Sequence, residues 1–108
     1  MDALLCHLDE IENPGAKAFD LNDQAIFVVR QGEQVWAYVN SCPHRGIRLE
    51  WQPDQFLDYE KQYIQCSTHG ALFTLESGKC IVGPCNGKSL QQIECRVVER
   101  EIWAVHAV

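Results

Sequence analysis

Two pairs of metal-ligating side chains stand close together in the sequence. The first is Cys42-Pro43-His44 and the second is Cys66-Ser67-Thr68-His69, so each pair offers one thiolate and one imidazole. Thiolates bind zinc, copper(I) and iron–sulfur clusters, and imidazole binds zinc, copper and iron. Two cysteines with two histidines are therefore compatible with tetrahedral zinc, or with a binuclear iron–sulfur cluster in which histidines replace two of the four cysteines.

The composition of each pair favours the cluster over zinc. Zinc sites with two cysteines and two histidines usually keep the cysteines in one pair and the histidines in the other. Here each pair is mixed, and residues 45–65 separate the two pairs, which places them on two different loops. Mixed pairs suit a binuclear centre, because each loop can send one ligand to each metal. A zinc-stabilised binding module without a redox role stays open as an alternative.

The elements that must position these loops are predicted to be strands. Apolar residues at 25–29 and 35–39 predict a hairpin that turns at Gln31-Gly32-Glu33. A second hairpin is predicted between Ile93 and Val105, with its turn near Glu99-Arg100.

The middle of the chain differs from both ends because it is rich in glycine, proline and cysteine. Only short strands are predicted there, at residues 63–65 and 71–73. We therefore predict a single all-β domain with an antiparallel β-sandwich framework, formed by about residues 1–40 and 87–108. A loop-rich subdomain that carries the ligands is inserted at about residues 41–86, since functional loops are commonly held by a rigid scaffold.

Other conspicuous side chains receive structural interpretations. Core packing is predicted for Trp36, Trp103, Cys6 and Cys95, because they fall in strand-like segments and unpaired cysteine behaves as a small hydrophobic residue. A surface or edge-strand position is predicted for His7 and His106.

Composition limits the classes of partner. The 108 residues suit one compact domain, and the net charge of −6 argues against a nucleic-acid partner, which would need positive charge. The apolar runs are far shorter than the roughly 20 residues of a membrane span, and the basic start of a signal peptide is missing. We therefore expect a cytoplasmic protein with no membrane partner. In that reducing compartment, the six cysteines favour metal ligation over disulfides.

The two ligand pairs extend into longer motifs. The segments Cys42-Pro43-His44-Arg45-Gly46 and Cys66-Ser67-Thr68-His69-Gly70-Ala71-Leu72-Phe73 together resemble the two cluster-binding loops of Rieske [2Fe–2S] proteins. Gly83-Pro84 falls where that family has a third, proline-containing loop over the cluster. The resemblance implies a Rieske-like fold and one [2Fe–2S] cluster per chain. It implies as metal ligands Cys42, His44, Cys66 and His69, and as further cluster-binding residues Gly46, Gly70, Gly83 and Pro84.

By this resemblance, the two cysteines hold an inner iron and the two histidines hold an outer iron near the surface. Neutral imidazoles in place of thiolates remove negative charge, so an electron is added more easily than to an all-cysteine cluster. Small residues behind the histidines, Gly46 and Gly70, let backbone N–H groups approach the cluster sulfurs.

Departures from the high-potential branch of the family indicate which kind of Rieske protein this is. A disulfide joins the two cluster loops in that branch, but the matching positions here are Ile47 and Thr68. Serine and tyrosine donate hydrogen bonds to the cluster in that branch, whereas Ala71 and Phe73 occupy these positions here and cannot donate from their side chains. Fewer donors stabilise the reduced cluster less, so we predict a potential toward the roughly −150 mV end of the Rieske range.

The resemblance implies an electron carrier rather than an enzyme. We expect a ferredoxin that takes electrons from a flavin reductase and passes them to an oxygenase or similar oxidoreductase. A small redox subunit of a nitrite-reductase-like complex is the alternative. A catalytic oxygenase subunit is not expected, since 108 residues leave no room for a mononuclear iron domain. No catalytic residues are predicted.

We also make predictions for two segments beside the ligand motifs, residues 80–85 and residues 51–61. Cys80 and Cys85 flank the proline-containing loop, and we interpret them as small thiols that support it; a disulfide between them and metal ligation by one of them are the less favoured alternatives. The spacer between the two cluster loops is longer than in the shortest family members, so residues 51–61 are expected to form an extra surface loop.

Overall fold

The structure is a computed structural model that describes residues 3–21, 23–41, 49, 56–58, 62–66, 70–83 and 87–105. Its helical content there is a single 3-10 turn at Leu8–Glu10, and no helix in these ranges is long and apolar enough to cross a membrane. The strands are β1 (Ala3–His7), β2 (Gly15–Leu21), β3 (Gln24–Gln31), β4 (Gln34–Val39), β5 (Tyr63–Gln65), β6 (Leu72–Thr74), β7 (Cys80–Val82), β8 (Gln92–Ile93), β9 (Cys95–Val98) and β10 (Glu101–Ala104).

The strands form three antiparallel sheets, which confirms the all-β prediction. The first sheet has the order β1-β10-β9, the second β2-β3-β4-β8 and the third β5-β6-β7. All strands of the third sheet fall between β4 and β8 in the sequence, and they lie among the ligand motifs. The division of the chain into a framework and an inserted subdomain at residues 41 and 86 stays a prediction.

Both predicted hairpins are present, with one correction at the second. Strands β3 and β4 pair around Gly32-Glu33, and β9 and β10 pair around Glu99-Arg100. Ile93 does not belong to the second hairpin: it lies in β8 and pairs with Ala37 of β4. Strand β2 was not predicted, because its sequence mixes small and polar residues and it pairs with β3 along its whole length.

The second sheet separates two hydrophobic cores. Ile26, Phe27, Val28 and Val29 of β3 are all fully buried, although successive strand residues point to opposite faces. Phe27 and Val29 therefore pack in the core that adjoins the third sheet, whereas Val28 packs in the core that adjoins the first sheet. This central position explains the uninterrupted apolar run, which is typical of strands covered on both faces.

The interpretation of residues 51–61 as a surface loop is wrong for its described part. Phe56 is fully buried and its ring stacks on that of Phe27, with 4.3 Å between ring centroids. The N–H of Gln65 donates to the Phe56 carbonyl, and Leu57 forms a bridge with Ile64. Phe56 and Leu57 thus pair with β5 at the edge of the third sheet. Both are apolar residues in a polar spacer, and they pack against the core there, Phe56 fully and Leu57 partly buried.

The predicted core residues differ in burial. Cys6 is buried, and Cys95 is half-buried against the same core. Trp36 and Trp103 are half-buried, so the expectation that both tryptophans pack in the core holds only for part of each ring; Trp36 covers the edge of the core beside the third sheet. His7 is exposed on β1, as predicted, whereas His106 lies outside the described residues.

Tyr38 joins the second sheet to the third. Its fully buried hydroxyl donates a hydrogen bond to the carbonyl of Leu75, in the turn after β6. Burial raises the pKa of this phenol, so it stays a neutral donor.

We expect Tyr38→Phe to reduce the free energy of unfolding by about 1–2 kcal/mol, because the Leu75 carbonyl loses its donor while the ring is retained. Urea unfolding checks this, and an unchanged midpoint would show that water replaces the hydroxyl.

Candidate metal centre

The structure describes part of the predicted site. Cys66, Gly70 and Gly83 lie within the described residues. The other predicted site residues lie outside the described residues: Cys42, His44, Gly46, His69 and Pro84. Arg45, Ile47, Thr68 and Cys85 also lie outside them. The described residues thus include the bases of the three predicted loops.

Cys66 follows directly after β5 and is fully buried. Its N–H donates to the carbonyl of Ala71 over 2.9 Å, and its own carbonyl accepts from the N–H of Gly70 over 2.8 Å. These two hydrogen bonds close the base of the second predicted loop and leave only residues 67–69 beyond it. The backbone of Cys66 is consequently fixed, and its side chain packs in the core between the second and third sheets, together with Phe73 and Leu75.

Gly70 closes the same loop in a conformation that favours glycine. Its φ is +69°, in the left-handed region, and no atom of the described residues lies within 4 Å of the position that a Cβ would take. Glycine is therefore favoured at position 70 by the backbone conformation and not by a lack of space among the described residues. The role of Gly70 in bringing backbone N–H groups to cluster sulfurs stays a prediction.

The third predicted loop begins in contact with the second. Val82 of β7 pairs with Leu72 of β6, and Gly83 follows. A Cβ on Gly83 would lie 2.8 Å from Cα and 3.0 Å from Cβ of Ala71, and the φ of Gly83 is +109°. Only glycine permits this approach of one backbone to the other. The loops predicted to bind and to cover the cluster are therefore packed together at their bases.

The first predicted loop leaves the framework after β4. Asn40 is buried at the end of that strand, and Leu49, fully buried, marks where the chain returns to the core. The Asn40 side-chain oxygen accepts a hydrogen bond from the Leu49 N–H. This contact was not predicted from the sequence, although an asparagine at the end of a predicted strand, two residues before the predicted ligand Cys42, was a usable signal.

The low-potential prediction, which stays a prediction, rests on two residues near Cys66. Ala71 and Phe73 are fully buried, and neither carries a side-chain hydrogen-bond donor. The Cys80 thiol, on β7, donates instead to the carbonyl of Val82, in agreement with its interpretation as a thiol that supports the third loop.

The described geometry fits a [2Fe–2S] cluster. Cys66 is fully buried at the base of the second predicted loop, in the same core as Leu49 and Ala71, and the third predicted loop begins against Ala71. The two predicted ligand pairs would supply thiolates and imidazoles, a donor set suited to iron–sulfur chemistry. Backbone hydrogen bonds and apolar packing fix the position of Cys66, as metal sites require of the residues around their ligands.

Solved structures of the same fold include electron carriers. The ferredoxin of carbazole 1,9a-dioxygenase from Nocardioides aromaticivorans IC177 superposes with a TM-score of 0.81 at 25% identity, and 96% of each chain is covered. A chain in the reduced complex between oxygenase and ferredoxin of carbazole 1,9a-dioxygenase superposes with a TM-score of 0.82 at 17% identity. That likeness covers 95% of the present chain and 27% of the other, and it bears on the fold alone.

Curated relatives are iron–sulfur subunits of a larger size. The cytochrome b6-f complex iron-sulfur subunit of Chlorobaculum tepidum is 32% identical over 75 residues, which are 69% of this chain and 38% of that protein. The subunit of the same name from Chlorobaculum thiosulfatiphilum is 31% identical over 88 residues, 82% of this chain and 44% of that protein. The chain thus spans less than half the length of these relatives.

The family profile covers most of the sequence. The description "Rieske [2Fe-2S] domain" belongs to the profile that matches residues 2–99, so the match includes the framework strands as well as the ligand motifs. It favours the iron–sulfur cluster over the zinc alternative. With the buried Cys66, the packed loop bases and the fold shared with a dioxygenase ferredoxin, this match shows that the chain belongs to the Rieske [2Fe–2S] domain family, whose members bind a [2Fe–2S] cluster and carry electrons.

Proposed function

We propose that this protein is a ferredoxin that takes electrons from a flavin reductase and passes them to an oxygenase or a similar terminal enzyme. The observation that carries the proposal is the likeness to a protein named as the ferredoxin of a dioxygenase, which extends over 96% of both chains. A chain from an oxygenase complex shares the fold over only 27% of its length. A cytoplasmic location belongs to the same proposal and stays a prediction.

Within this proposal the cluster is held by Cys42, His44, Cys66 and His69, and when bound it supplies one-electron oxidation and reduction. The residues around Cys66 hold its backbone and exclude water from its side chain. Two backbone hydrogen bonds fix the chain at Cys66, and the fully buried Ala71 and Phe73 pack in the same core as Cys66. Gly83 lets the third loop begin directly against the second.

A low reduction potential is the second part of the proposal. It is supported by Ala71 and Phe73, because buried side chains without donors cannot stabilise the added negative charge of the reduced cluster. Potentiometric titration of the holoprotein at neutral pH is expected to give a midpoint toward roughly −150 mV. A midpoint well above zero would contradict the low-potential assignment without affecting the ligand assignment.

The histidine ligands offer a separate test. We expect His69→Cys to keep a cluster, where it assembles, but to lower its potential, since a thiolate adds a negative charge in place of a neutral imidazole. His7→Cys is the matched control, because His7 is exposed on the framework strand β1. An assembled His69→Cys protein with an unchanged or raised potential would argue against His69 as a ligand.

A second candidate function is a small redox subunit that stays bound in a larger oxidoreductase complex. Both curated relatives are named as subunits of a complex, and this observation favours it. Purification of the tagged chain from its own cells separates the two candidates. A lone holoprotein supports the ferredoxin, and a stable stoichiometric complex supports the subunit.

A further inference from the structure

Asn40 is the one buried amide or charged side chain among the residues that the structure describes. It is 4% exposed and lies directly after β4, in a molecule whose other buried side chains there are apolar, cysteine or tyrosine. Its Oδ1 accepts a hydrogen bond from the N–H of Leu49 over 2.9 Å, and the bond itself is buried. A polar side chain is expensive to bury, so its partner indicates why it is there.

Both ends of this hydrogen bond are held in place. The N–H of Asn40 donates to the carbonyl of Ala25 on the neighbouring strand over 2.8 Å, and the N–H of Val39 donates to the carbonyl of Gln91 over 2.9 Å. Leu49 is fully buried in the core with Phe27 and Phe56. The Asn40–Leu49 bond therefore joins two fixed points and sets the distance that residues 41–48 must span.

Residues 41–48 include Cys42, His44 and Gly46, which the proposed function assigns to the cluster. The second ligand loop is closed in a different way, by backbone hydrogen bonds from Cys66 to Ala71 and from Gly70 to Cys66. Those bonds join backbone atoms only. At the base of the first loop, the described hydrogen bond between the two ends depends on a single side chain.

We propose that Asn40 is a positioning residue for the first cluster loop. By holding Leu49 beside the end of β4, its amide fixes the loop that carries one cysteine and one histidine ligand. This inference rests on the ligand assignment in the proposed function. Without the amide, the Leu49 N–H is left unpaired in the core and the loop ends can separate, which loosens the ligands.

The experiment compares iron release to a ferrous chelator from anaerobic, dithionite-reduced holoprotein, together with its electron paramagnetic resonance (EPR) line shape. Asn40→Ala is expected to speed release on the order of tenfold or more, since a buried donor is left unsatisfied, and to broaden the EPR signal. Asn40→Ser, whose hydroxyl is too short to replace the amide, substitutes for the alanine variant if that variant does not fold.

Asn13→Ala is the matched control. The Asn13 side-chain oxygen accepts from the N–H of Gly32 over 2.8 Å, so the same two atom types are joined, but at an exposed turn between framework strands. This variant is expected to leave iron release and the EPR line shape unchanged. The proposal is overturned if Asn40→Ala matches the wild type in both readouts, or if Asn13→Ala changes them as much. A wild-type protein without the cluster signal would instead overturn the ligand assignment.

Discussion

Replacing Cys66 with serine is expected to yield a protein that holds no [2Fe–2S] cluster. Cys66 is fully buried at the end of β5, and two hydrogen bonds fix its backbone, so no other side chain can move into its place without breaking the loop base. A serine hydroxyl does not supply the thiolate that iron–sulfur clusters require. Because ligation energy is also folding energy, the variant should also melt at a lower temperature than the wild-type holoprotein.

Iron analysis and visible absorption of the purified protein measure the first effect, and calorimetry measures the second. Cys6→Ser provides the matched control, since Cys6 is a buried thiol on β1 whose pKa is raised by burial. That substitution buries a hydroxyl in an apolar core and should cost about 1–3 kcal/mol while the cluster is retained. A Cys66→Ser protein with a full complement of iron and the wild-type spectrum would remove Cys66 from the ligand set.

Replacing Gly83 with alanine is expected to push the third loop away from the second. The new Cβ would lie 2.8 Å from the Cα of Ala71, a backbone atom that cannot rotate aside. The φ of +109° at Gly83 adds strain for any residue with a Cβ. Because the third loop is expected to cover the cluster, we predict a loss of stability together with faster bleaching of the cluster by oxygen.

Gly87→Ala separates the contact from the strain. Gly87 has a φ of +93°, but among the described residues nothing lies within 4 Å of its Cβ position. Gly83→Ala should therefore lower the free energy of unfolding by about 1–3 kcal/mol more than Gly87→Ala does, which is the usual cost of overpacking. Denaturant unfolding of both variants measures the difference. Equal losses, with equal rates of bleaching, would mean that the Gly83–Ala71 contact has no role of its own.

The parts of the fold that could be predicted are those in which local pattern and tertiary position agree. The apolar run of β3 and the turn at Gly32-Glu33 identify a hairpin without any knowledge of the partners. Strand β2 escaped prediction because its small and polar residues form no period-two pattern, and pairing with β3 decides its conformation. Phe56 escaped because its burial depends on Phe27, which is distant in sequence.

The candidate site divides in the same way. The predicted ligand set can be read from short stretches of sequence, since two short motifs contain all four residues. The structure places one of them, Cys66, directly after a strand. The contacts that hold the loops together are not local. The approach of Gly83 to Ala71 and the hydrogen bond from Leu49 to Asn40 join residues from different loops or from the two ends of one loop, so only the folded chain shows them.

We expect one [2Fe–2S] cluster, bound by two cysteines and two histidines. Pulsed EPR of the dithionite-reduced holoprotein is the decisive measurement, because an unpaired electron on the cluster couples magnetically to any nitrogen bound to its iron. The expected result is one unpaired electron per two irons, coupled to two imidazole nitrogens. A silent spectrum from a sample with its full iron content, or a cluster signal without nitrogen coupling, would contradict the claim.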